Sequence, residues 1–119
     1  MIRLSKVDIQ TSVLRHATRN RELKELIESK GVDLAEQRTI DLHFWAGGEE
    51  AARNLTAVLQ TEGYLVVSQN PSKGNPALWN VEAQVEASPL SVTAPLFVER
   101  MVRVAAENEA EFDGWGTSL

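Results

Sequence analysis

The sequence predicts an α+β fold with a ferredoxin-like βαββαβ antiparallel sheet, two helices on one face, and an extra helix before it. Three observations predict this. "RTIDLHFWAGG" and "ALWNVEAQVEA" alternate apolar and polar residues, the period of strands with one buried face. "EEAARNLTAVLQTEG" and "APLFVERMVRVAAENEAEF" repeat their apolar residues at helical spacing. Their order along the chain is strand, helix, strand, strand, helix, strand, the split βαβ series that builds a four-stranded antiparallel sheet.

Residues 1–10 fit a short strand, a helical extension or a frayed arm equally well. "TSVLRHATRNRELKELIESKG" reads as a helix with an interrupted stripe of Val13, Ala17, Leu23, Leu26 and Ile27, closed by Gly31. The first strand places Ile40, Leu42 and Phe44 on one face and Asp41, His43 and Trp45 on the other. Gly47-Gly48 breaks it, and Glu49 and Glu50 then suit the positive end of a helix. That helix buries Ala51, Ala52, Leu55, Val58 and Leu59 and stops at Gly63.

"YLVVSQN" is a short β-rich run, and "NPSKGNP" is turn chemistry between two strands of a hairpin. Trp79, Val81, Ala83 and Val85 form the apolar phase of the second hairpin strand. "SPLSVTAP" is a linker with Ser88, Ser91 and Thr93 as capping residues. The last helix starts with Pro95 in its first turn, where the missing N–H costs nothing, and its core face is Phe97, Met101, Val104 and Ala105. The tail "FDGWGTSL" is extended, with Asp113-Gly114 turning out of the helix, Trp115 starting an edge strand and Gly116 permitting a bulge.

A length of 119 residues suits a single domain, with 1–37 as an N-terminal helical segment packing on a ferredoxin-like domain at 38–119. The absence of cysteine excludes a disulfide framework and a thiolate site and fits a reducing compartment. No apolar run is long enough to span a bilayer, and no hydrophobic stretch follows the basic start, so a cytoplasmic protein is expected. The net charge of −5 is unevenly spread: residues 1–38 carry +2 and residues 39–119 carry −7. An acidic body repels phosphate, so direct nucleic-acid binding and a membrane surface are not expected, and a protein partner is.

Catalytic chemistry finds little to stand on. His16 and His43 lie on different elements without ligand-spaced carboxylates, so no metal is expected. Glu49 and Glu50 point about 100° apart on a helix and do not converge on one bond. The Gly47-Gly48 turn lacks the Lys-Ser/Thr of a phosphate cradle. Base stacking on Trp45 and Tyr64 is opposed by Glu82 and Glu86 on the neighbouring strand.

The stretch from Arg21 to Val67 and the closing Phe112-Asp113-Gly114-Trp115-Gly116 resemble the bacterial regulator of ribonuclease E activity B family. The resemblance implies a small cytoplasmic domain without cofactor or catalysis. It would bind ribonuclease E, or another degradosome component, outside the catalytic part and dampen RNA cleavage. The expected partner-binding residues are His43, Trp45, Tyr64, Asp113 and Trp115, each of which also has a structural reading. Two other classes fit the pattern: a small ferredoxin-like ligand-binding protein or hydrolase, and a structural dimerisation domain.

Overall fold

The structure is a computed structural model that describes residues 6–118. Helix α1 spans Lys6–Ser29, strand β1 Arg38–Ala46, helix α2 Glu49–Thr61, and strands β2 and β3 Leu65–Pro71 and Trp79–Ala87. A four-residue helix α3 (Pro89–Val92), helix α4 (Pro95–Glu107) and strand β4 (Ala110–Thr117) complete it. The sheet order is β2-β3-β1-β4, and every neighbouring pair is antiparallel. Of residues 1–10, the first five lie outside the described residues and the rest are helical, which removes the strand for residues 6–10.

The core lies between the sheet and the helices. β1 sends Ile40, Leu42, Phe44 and Ala46 inward at every second position, the alternation read from the sequence. α2 answers with Ala51, Ala52, Leu55 and Leu59, and α4 with Val98, Met101, Val102 and Ala105. Val98 and Val102 take the buried places expected of Phe97 and Val104, which are half-buried against the core. α4 packs between the sheet and α1, so its apolar surface is wider than one stripe.

The junctions follow local chemistry. The linker after β3 is a short helix whose Ser88 and Ser91 cap each other through backbone N–H groups at 3.1 and 3.2 Å. The turn out of α4 is made five residues earlier than expected. Asn108 caps the helix and Glu109 takes a left-handed conformation (φ 56°), leaving Asp113 and Gly114 inside β4. The carbonyl of Glu109 then accepts from Gly47 N at 2.9 Å, joining the two loops at that end of the sheet.

The stripe expected on α1 is corrected by the structure. Ala17 and Leu26 are exposed, while Ser12, His16, Asn20 and Ile27 are buried. Those four keep helical spacing, but three of them are polar. The helix docks on backbone carbonyls and an indole N–H as well as on apolar atoms, so its buried face had to carry hydrogen-bonding groups.

Phe44→Ala is expected to destabilise the protein by about 3–5 kcal/mol through the cavity it leaves. Leu96→Ala, at a position 82% exposed, should stay within about 0.5 kcal/mol of the parent. Urea unfolding of the two variants side by side measures both.

Candidate functional site

The motif near the end of the chain is a seam between α1 and β4. Phe112 pairs with Phe44 and Gly114 with His43, so Asp113 is an extra residue in β4 and the register shifts there. This bulge sits at Asp113-Gly114, two residues before the Gly116 that the sequence suggested. Its consequence is the direction of Trp115. Strict alternation from Phe112 would send Trp115 to the opposite face; with one inserted residue it pairs with Leu42 and turns into the core, 5% exposed.

Three side chains of α1 hold that bulge. His16 Nε2 donates to the Phe112 carbonyl at 3.0 Å, and the two rings stack with centroids 4.9 Å apart. Arg19 donates to the Asp113 carbonyl at 2.7 Å. Trp115 Nε1 donates to Asn20 Oδ1 at 2.8 Å. Gly114 has φ +133°, and a Cβ built on it would lie 3.1 Å from Arg19 Nη1. Its conformation therefore favours glycine here, and a Cβ would also press on the arginine head.

Among the described residues no helix covers the opposite sheet face, which is polar. Cross-strand pairing arranges it in rows running from β4 to β2. Gly116, Asp41, Gln84 and Leu65 form one, Gly114, His43, Glu82 and Ser68 the next, and Glu111, Trp45, Asn80 and Asn70 the third. His43 Nδ1 lies 2.9 Å from Glu82 Oε1, and Gln84 donates to Asp41 Oδ1 at 2.9 Å. Thr39 and Glu86 add a hydrogen-bonded pair beyond the first row. Four carboxylates (Asp41, Glu82, Glu86 and Glu111) thus share the face, and neither lysine nor arginine occupies a position in these rows.

The five expected contact residues separate into three places. His43 and Trp45 stand side by side on the open face. Asp113 is exposed at the bulge on the sheet edge. Tyr64 precedes β2 and packs, half-buried, against the core; burial first, and then Glu62, raise its phenol pKa. Trp115 faces the core. The residues that sequence reasoning passed over are Ser12, His16, Arg19 and Asn20. A usable signal existed, since Ser12, His16 and Asn20 recur every four residues and continue the line toward Ile27.

Beside Trp45 is a shallow depression of about 470 Å³, lined by Ser68, Asn70, Lys73, Asn80 and Glu82 among others. It contains one carboxylate and no histidine, so His43 does not line it. Among the described residues no group of three or more His, Asp or Glu side chains is placed to hold a metal ion. No described helix is long and apolar enough to cross a membrane.

Two comparisons bear on what the chain is. Residues 17–117 match the family described as Regulator of ribonuclease activity B. No curated protein matches the chain.

Gly114→Ala and Asn20→Leu should each lower stability by about 1–3 kcal/mol, the first by backbone strain and the second by stranding a buried indole N–H. The double variant should cost less than their sum, since both release the same seam; a urea double-mutant cycle reads this.

His16 supplies a pH dependence. Burial lowers its pKa, the bond to Phe112 opposes that, Arg19 and Arg15 lower it further, and Asp113 raises it slightly. The folded protein therefore favours the neutral ring relative to the unfolded chain, whose histidine titrates near 6.5. The stabilisation is complete above about pH 6.5 and is lost as pH falls through the lower folded value. Unfolding free energy followed downward from pH 7.5 should decline less steeply in His16→Gln than in the parent just below pH 6.5.

Proposed function

The chain belongs to the Regulator of ribonuclease activity B family, and on that premise we propose that it is a non-catalytic regulator that binds a ribonuclease through the open sheet face. The observation that carries this is the placement of all the helices away from one polar, acidic face with Trp45 and His43 at its centre. The partner is ribonuclease E or a degradosome component in the cytoplasm, contacted outside its catalytic part, so that RNA cleavage is dampened without competition for the substrate. We read the strand order β2-β3-β1-β4 as the ferredoxin-like arrangement, with residues 1–37 as a helical segment packed on the regulator domain.

Physical chemistry supports each part of the reading. The carboxylates of Asp41, Glu82, Glu86 and Glu111, spread over this face, would attract a basic protein segment and repel RNA phosphates. Trp45 combines a large apolar ring with partial exposure, the profile of an interface anchor. Asp113 extends the negative surface to the rim of the sheet. Tyr64 and Trp115 enter the reading as residues that shape the domain, with Trp115 holding the seam that keeps β4 in register.

The test adds purified protein to ribonuclease E and measures both binding and cleavage of an RNA substrate. Cleavage should slow, binding should weaken as salt rises, and Glu82→Lys together with Trp45→Ala should reduce affinity at least tenfold while circular dichroism is unchanged. Absence of any binding to ribonuclease E or to the assembled degradosome would remove the proposal.

A further inference from the structure

The sheet has two edges, and they are treated differently. At β4 the carbonyls of Phe112 and Asp113 are taken by His16 and Arg19 of α1. At the other side β2 pairs with β3 alone; Thr56 of α2 reaches the Gln69 side chain, but no described helix or strand bonds to the outer backbone groups of β2. Proteins ordinarily defend such an edge with charge, an interior proline, a β-bulge or a covering element, and of these β2 shows a bulge at Val67. β2 carries no charged residue, its only proline is the terminal Pro71, and Leu65 and Val67 are 63% and 42% exposed.

We propose that the free edge of β2 takes up an extended, basic segment of the protein partner by strand addition. The inference rests on the protein-binding reading above and says how such a partner is held. Backbone groups of the edge would provide the affinity, and side chains on the open face the selectivity. The bulge at Val67 bends β2, but Ser68, Gln69 and Asn70 continue in register with Glu82, Val81 and Asn80. That run lies beside the depression lined by Ser68, Asn70, Trp45 and Glu82.

The geometry selects the charge of the occupant. Neighbouring strands lie about 4.8 Å apart, so a residue added opposite Ser68 stands roughly 10 Å from the Glu82 backbone. Serine is short, and a lysine or arginine crossing above it would meet the Glu82 carboxylate with its cation beside the Trp45 ring. Lys73 lines the depression from the loop between β2 and β3, so the Glu82 end is the favourable place for a positive charge. A second copy of this chain is the poorer occupant. Its own β2 has no lysine or arginine to place opposite Glu82.

The probe is a synthetic peptide alternating valine and arginine, offered to the full chain and followed by amide hydrogen exchange and tryptophan fluorescence. Exchange at Ser68 to Asn70 should slow at least tenfold, and the fluorescence change should vanish in Trp45→Phe. Glu82→Gln should weaken binding at least tenfold, and a peptide N-methylated at alternate residues should not bind. No binding, protection confined to α1 or α4, or equal binding by Glu82→Gln or by the N-methylated peptide would overturn the inference. So would β2 protection that grows with protein concentration when no peptide is present, which would mark a second copy as the occupant. Ribonuclease E inhibition by the same variants separates the two ideas. Inhibition alongside a failed peptide test removes the edge alone, whereas no binding to ribonuclease E removes the function reading and leaves the peptide result to decide the edge.

Discussion

One inserted residue in β4 sets the arrangement of everything on the helical side. Asp113 shifts the register against β1, and that shift turns Trp115 from the open face into the core. Once inward, the indole N–H must be satisfied, and Asn20 of α1 does so. The helix is then positioned for His16 and Arg19 to take two carbonyls at the same bulge. A large apolar ring, a buried polar network and a glycine without a Cβ are thus parts of a single joint. It joins the first long helix to the last strand, and α4 is enclosed beneath it.

The same joint decides what remains outside. Because α1 is held along β4 and against α4, it does not cross to the far face of the sheet. The face keeps its carboxylates, His43 and Trp45 available to another molecule. An acidic sheet surface is poor ground for RNA and good ground for a basic protein segment, in keeping with a family that acts on a ribonuclease by regulation. The asymmetry of the edges adds direction, since one side of the sheet is closed by side chains from α1 and the other presents bare backbone.

Much of this was legible in the sequence. The alternation in "TIDLHFWA" and in "WNVEAQVEA" marks β1 and β3 residue by residue, and the stripe of α2 is the one observed, apart from Thr56 in place of Val58 as a fully buried residue. These elements bury apolar side chains, and periodicity of apolar residues is the signal sought. α1 was legible as a helix and illegible as a surface. Its buried face carries Ser12, His16 and Asn20, which a search for hydrophobic stripes discards. The bulge was illegible for a different reason: Asp113 and Gly114 do not say whether they end a helix or interrupt a strand. That is settled by Glu109, which completes the turn first, and by the partner strand, which fixes the register.

The seam also constrains the order in which the molecule can assemble. Its three hydrogen bonds join residues 94 to 96 positions apart in the chain. During synthesis α1 is made before β4, so its docking surface is unfinished until Trp115 has been added. Until then the helix has neither its carbonyl partners nor the indole, and its buried polar stripe of Ser12, His16 and Asn20 confronts solvent instead. Contacts of such long sequence separation are slow to close. The docking of α1 therefore waits on β4, the last described element of the chain.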